Sequence, residues 1–149
     1  MLLGTWIVSI DESGQCVLPS PLRPLLGLTV VVTRGFERCL HICPEPFWRG
    51  LAQRVSTLTL GGGDERWLRR LLFAEAQVSL LDAQAIITFP PPLRTYAGLE
   101  RTAVLVGMDQ YLEVWAPERW QECELTLLAS AGRWSRLDWG VARSDVVSL

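Results

Sequence analysis

Residues 6–10 alternate between apolar and polar types and are rich in β-branched side chains, which predicts a strand. Residues 11–14, DESG, carry turn chemistry, and residues 16–18 predict a second short strand. Pro19, Pro21 and Pro24 crowd the start of a short helix that Gly27 closes. Residues 29–33 form a run read as a buried strand, and residues 39–43 predict the next strand, with the turn between them at 34–38. Phe47, Trp48, Leu51 and Val55 fall at helical spacing within residues 44–57. Gly61, Gly62 and Gly63 break the pattern and read as a linker. Asp64 is the expected N-cap of a helix running to about residue 74, whose stripe is Trp67, Leu68, Leu71 and Leu72.

The pattern then starts again. Residues 76–81 predict a strand, residues 81–94 a turn, strand and short helix, and residues 103–106 and 111–115 two further strands. Pro117 opens a helix containing Trp120, Leu125 and Leu128, and the tail beyond it, with Trp134 and Trp139, is expected to dock or remain partly mobile. The recurrence extends to individual residues. Asp11, Pro19, Leu22, Arg23, Gly27 and Leu28 return 71 positions later as Asp82, Pro90, Leu93, Arg94, Gly98 and Leu99. After a one-residue gain, Gly35, Leu40, Ile42 and Trp48 return at 72 as Gly107, Leu112, Val114 and Trp120. A period this long means two similar supersecondary units rather than a solenoid. The expected fold class is α+β, with a first half at 1–60, a Gly-rich linker and helix at 61–75, a second half at 76–125 and a C-terminal tail at 126–149. A duplicated unit suggests a pseudo-two-fold surface, which suits a repeated or symmetric partner.

Composition narrows the class. With 149 residues, 49% of them hydrophobic and 20% charged, the chain can bury a core and is not disordered. All 14 basic residues are arginine, whose fork suits phosphate and guanine. The net charge of −2 nevertheless counts against strong nonspecific DNA binding by a monomer. No stretch is apolar enough for a membrane helix, no signal peptide is read at the start, and the four cysteines lack zinc spacing. The expectation is a reduced cytoplasmic protein.

Catalytic signatures are missing. No nucleophile elbow, phosphate loop or dinucleotide fingerprint occurs, so an enzyme is not expected. Cys39, His41 and Cys43 alternate and would share one strand face, but no fourth ligand lies at suitable local spacing. No metal and no cofactor is therefore expected. Trp48 and Trp120 hold matching positions and read as core or subunit interface.

The loop, strand and helix opening each half read DESGQCVLPSPLR and LDAQAIITFPPPLR. Together with VVVTRGFERCLHICP, RRLLFAEAQ, LRTYAGLE, VLVG and EVWAPERW, they resemble the MraZ family over about residues 1–125. The resemblance implies an AbrB-like fold, in which the tandem halves form a pseudo-two-fold double-split β-barrel with short flanking helices. It further implies a cytoplasmic, nucleoid-associated transcriptional regulator of the division and cell-wall gene cluster. Such a protein binds double-stranded promoter DNA as a ring-shaped homo-oligomer, through one DxxxR motif per half. The candidate DNA-binding residues are Asp11, Ser13, Gln15 and Arg23 in the first half and Asp82, Gln84, Ile86 and Arg94 in the second. The motif arginines are replaced by Gln15 and Ile86, and the glycine before them is kept as Gly14 but becomes Ala85. Gln can read adenine, whereas Ile can reach only a thymine methyl or a protein surface. Bland alternatives stand beside each role: turn capping for Asp11 and Asp82, a solvated loop for Gln15, and a helix-end or interface salt bridge for Arg23 and Arg94. Arg34 sits in the TRG turn. The competing class is a divergent oligomeric scaffold or co-subunit that keeps the interfaces and has lost DNA binding.

Overall fold

Eight strands and five helices follow the duplicated pattern in a computed structural model that describes residues 1–138. The first repeat contributes β1 (Thr5–Ser9), β2 (Gln15–Val17), α1 (Arg23–Leu26), β3 (Thr29–Arg34), β4 (Leu40–Pro44) and α2 (Glu45–Ser56). A 3-10 turn at Ser20–Leu22 leads into α1. Next, α3 (Gly63–Phe73) connects to the second repeat: β5 (Gln77–Leu80), β6 (Ile86–Thr88), α4 (Pro91–Ala97), β7 (Thr102–Gly107), β8 (Leu112–Trp115) and α5 (Pro117–Trp134). Met1–Pro117 is one compact unit that holds the strands of both repeats, and a second unit begins at Glu118.

The halves are interlocked rather than adjacent. Six antiparallel strands run in the order β1-β7-β8-β4-β3-β5. Exchanging each strand for its repeat equivalent reverses this order, which is the signature of an internal two-fold. β1 of the first repeat completes the ladder of β7, and β5 of the second completes that of β3. At the centre, β4 pairs with β8, with His41 opposite Glu113. The remaining strands, β2 and β6, form a separate pair in which Cys16 lies opposite Ile87. Both central pairs join residues separated by the repeat offset, so the pseudo-axis passes through them.

The ladder ends at β1 and β5 and does not close. The closed double-split barrel implied by the resemblance is not formed by this ladder, because β2 and β6 pair with each other instead of extending it. A single bridge, Ile10 to Cys16, links the β1 edge toward β2.

One face of the large sheet and the inner face of the β2–β6 pair enclose the main core. Leu18, Leu22, Leu40, Ile42, Phe89, Leu93, Leu105 and Leu112 are fully or almost fully buried there. Val30 and Val32 join this core, while Val31 is buried on the opposite face, which explains the continuous apolar run of β3. On that opposite face Trp48 of α2 meets Phe73 of α3 edge to face at 5.7 Å. Thr33 donates its hydroxyl to Leu72 O at 2.6 Å, fixing α3 on β3.

Two details differ from the sequence reading. Helix α3 begins at Gly63 with Gly62 as its cap, so Asp64 is not the N-cap. Asp64 and Glu65 instead lie in the first turn, where their charge opposes the positive end of the helix dipole. α5 continues unbroken through residue 126 to Trp134, without a stop signal after Leu128. The role read for Trp139 falls outside the described residues.

Phe89→Ala removes a side chain with no exposed surface from the junction of the repeats. The expected cost is about 3–5 kcal/mol, read from a lowered denaturation midpoint at unchanged slope. A loss under about 1 kcal/mol would mean that the interlocked core is not the main source of stability.

Candidate nucleic-acid interface

The two motif loops meet at the β2–β6 pair. In the first, Asp11 Oδ1 accepts bonds from the Ser13 hydroxyl at 2.7 Å, Gln15 N at 2.8 Å and Ser13 N at 3.0 Å. In the second, Asp82 Oδ1 accepts one from Gln84 N at 2.9 Å. Both aspartates are exposed and both shape their turns, so the turn-capping alternative describes what they do in the free protein. The Ser13 hydroxyl, followed by the backbone N–H of Gln15, holds the Asp11 carboxyl below the usual aspartate range.

The loops are also tied across the axis in matching ways. Leu18 N donates to Ala85 O at 3.0 Å, and the equivalent Phe89 N donates to Gly14 O at 2.8 Å. Gly14 and Ala85 both adopt positive φ, 85° and 52°. Gly14 is required on two counts. A Cβ there would lie 2.6 Å from Phe89 O and 2.9 Å from Arg94 Nε, and its φ suits glycine.

Neither Arg23 nor Arg94 forms an ion pair among the described residues. Arg23 donates from Nε to Leu18 O at 3.1 Å and from Nη1 to Ala83 O of the other repeat at 3.4 Å. Arg94 donates from Nε to Phe89 O at 2.8 Å and packs over Gly14 of the other repeat. Within the single chain both guanidinium groups hold loop carbonyls, and of the two it is Arg23 that donates to the other repeat. Arg34 is likewise committed, donating to Leu71 O at 2.9 Å and Arg70 O at 2.6 Å near the end of α3.

Pairing determines which side chains share the outer face. Gln15 lies opposite Thr88, and Val17 opposite Ile86. Opposed residues point the same way, and Cys16 and Ile87 point into the core. Gln15, Val17, Ile86 and Thr88 therefore form one outward patch on the axis, of which Gln15, Val17 and Thr88 are exposed and Ile86 half-buried. A groove beside β1, lined by Ile7, Ser9 and Asp11, opens onto it. Sequence spacing had linked Gln15 with Ile86 only by repeat position; Val17 and Thr88 were missed because strand register is not visible in either half alone.

At the other end of the axis, the register sets Glu113 beside His41. Cys39 Sγ, His41 and Glu113 bring their donor atoms within 4.8 Å of one another. Cys43 shares that face of β4, the one opposite Leu40 and Ile42, but is not part of this cluster. The repeat offset of 72 maps His41 onto Glu113, which was the available signal.

An interlocked tandem repeat of α+β type, with paired turn-capped loops on its axis, defines the structural class. The family described as "MraZ protein, putative antitoxin-like" matches residues 1–71 and again 72–133. The chain belongs to the MraZ family. It is 43% identical over 132 residues to a protein of Thermomicrobium roseum named transcriptional regulator MraZ, covering 89% of this chain and 92% of that one. Proteins of the same name from Herpetosiphon aurantiacus and Limosilactobacillus reuteri are 43% and 38% identical, over 81% and 82% of this chain and 85% and 86% of theirs. Among the described residues, no helix is long and apolar enough to cross a membrane.

Two outcomes test the loop geometry. Gly14→Ala is expected to cost about 1–3 kcal/mol by thermal or chemical denaturation, from strain and the Phe89 contact. Gly27→Ala, where a Cβ meets nothing within 4 Å, should cost less despite its φ of 76°. Equal losses would show that the close approach at Gly14 is relieved cheaply. An NMR titration should place the Asp11 pKa below the usual aspartate value, and Ser13→Ala should raise it. The lowered value means that loop order is supported above the unfolded pKa and fades as pH falls through the folded one. An unchanged Asp11 pKa in the Ser13 variant would remove the hydroxyl as its main cause.

Proposed function

We propose that this chain is a sequence-specific, DNA-binding transcriptional regulator, cytoplasmic and nucleoid-associated, acting on promoter DNA of the division and cell-wall gene cluster. The observation that carries this reading is the outward patch at the β2–β6 pair, where both motif loops converge around Gln15 and Ile86. Gln15 supplies an amide able to pair with adenine, and Ile86 a methyl surface for thymine. Arg23 and Arg94 act as positioning residues, since their guanidinium groups tether the loops. Ser13 and Gln84 stand on the exposed loop tips. A ring of copies multiplies these modest contacts into avidity on repeated sites. The names carried by the relatives support the regulatory role.

A second reading has its own support. Val17 and Ile86 make half of the patch apolar, and the chain's net charge is −2. Those features suit a protein partner, and a chain using them so would be an oligomeric scaffold or co-subunit without DNA binding.

Fluorescence anisotropy of labelled DNA from upstream of the chain's own gene, at several salt concentrations, separates the two. The regulator binds that DNA more tightly than scrambled sequence and weakens steeply with salt. Combining Gln15→Arg with Ile86→Arg should tighten binding and steepen the log–log salt slope by about 0.9 for each additional phosphate neutralised. An unchanged slope would mean that the loops do not face phosphate. No binding at low salt by folded oligomer would favour the scaffold.

A further inference from the structure

The internal symmetry fails chemically at one end of the axis. Cys39 and His41 of the first repeat occupy the positions that Tyr111 and Glu113 hold in the second. Pairing of β4 with β8 then brings a thiol, an imidazole and a carboxylate to one point. Glu113 Oε2 lies 3.7 Å from Cys39 Sγ and 3.8 Å from His41 Nε2. His41 is buried, and its Nδ1 has no hydrogen-bond partner among the described residues. The polar face of the ring therefore works through Nε2, toward the carboxylate.

A catalytic relay would look different. There the carboxylate binds one imidazole nitrogen and the thiol faces the other. Here one carboxylate oxygen faces both the sulfur and the same nitrogen, so three donors converge. In a tetrahedral zinc site, sulfur and oxygen ligands lie about 3.6 Å apart, and nitrogen and oxygen ligands about 3.3 Å. The two separations from Glu113 Oε2 are close to these, while sulfur and nitrogen, within 4.8 Å of each other, must draw together toward about 3.5 Å as the ion binds. The second oxygen of Glu113 accepts a 3.1 Å bond from Trp115 Nε1, an outer contact that fixes the carboxylate plane. Tyr111 tilts over the His41 ring at 4.8 Å between centroids and limits its rotation. Gly35 leaves room on the remaining side, since a Cβ there would sit 2.5 Å from His41 Nε2.

We propose that Cys39, His41 and Glu113 form a binding site for a divalent, borderline-soft transition ion, zinc by choice of donors, that clasps the two repeats together at their pseudo-axis. Coordination through Sγ, Nε2 and Oε2 displaces the Cys39 thiol proton to solvent. The thiolate and carboxylate then neutralise the dication, so no net charge is left in a largely buried place. Water completes the shell on the side where the Glu113 side chain is 17% exposed. The site's role is structural, and it stands apart from the DNA-binding surface.

Cobalt(II) titration of the purified full chain tests this, because thiolate ligation gives an intense charge-transfer band. One equivalent is expected to produce that band, and zinc should bleach it by displacement. Cys39→Ser should abolish the band, Glu113→Gln should weaken cobalt binding at least ~10-fold, and Cys123→Ser should leave the band intact. Zinc should also raise the melting temperature of the parent chain and of Cys123→Ser, but not that of Glu113→Gln. If Cys39→Ser does not fold, Glu113→Gln and the melting shift decide. A folded parent chain that gives no thiolate band and no zinc-dependent shift would overturn the site and leave a hydrogen-bonded polar cluster. So would equal binding by Glu113→Gln.

Discussion

The structure depends on one constraint: neither repeat can complete its own sheet. β3 needs β5 and β7 needs β1, and each of those strands comes from the other half of the chain. Backbone groups buried at these positions must be paired, so separating the halves would strand a row of donors and acceptors along each β3 or β7 edge. The main core obeys the same rule, because Leu18 and Phe89 pack within one cluster although they belong to different repeats. The axis defined by the Cys16–Ile87 and His41–Glu113 pairs is therefore the point where local chain preferences become a single cooperative unit.

The consequences at the two ends of the axis differ. At the β2–β6 end, duplication is nearly kept: both loops have an aspartate-shaped turn, a residue at positive φ, and an arginine reaching across to the opposite loop. Near-symmetry gives a surface on which equivalent residues face the same way. At the β4–β8 end, duplication has been abandoned side chain by side chain. A symmetric pair of histidines or of glutamates there would place like groups against each other, whereas His41 against Glu113 offers complementary ones. Divergence of the copies is what sets complementary groups against each other at that end.

Much of the architecture was legible in the sequence because it was written locally. Period-two alternation, proline clusters before short helices and glycines after them mark most elements to within a residue or two. The 71- and 72-residue offsets reveal the duplication, and the motifs LLFAEAQ at the junction and EVWAPERW in the second copy point to the family. Asp64 was misplaced as a cap because acidic residues favour both the cap and the first turn, and only backbone geometry separates them.

Composition and periodicity by themselves determined that the chain is a duplicated α+β protein with turn-capped loops at equivalent positions. Tertiary structure alone decided how the copies interlock, that the ladder stays open, which side chains share the outer face with Gln15, and that Arg23 and Arg94 serve as tethers. It also brought Glu113 to Cys39 and His41. The reason is the same in each case. Strand register and cross-chain pairing join residues some 70 positions apart, and no local pattern records which of the possible pairings buries the most surface and leaves the fewest polar groups unmet.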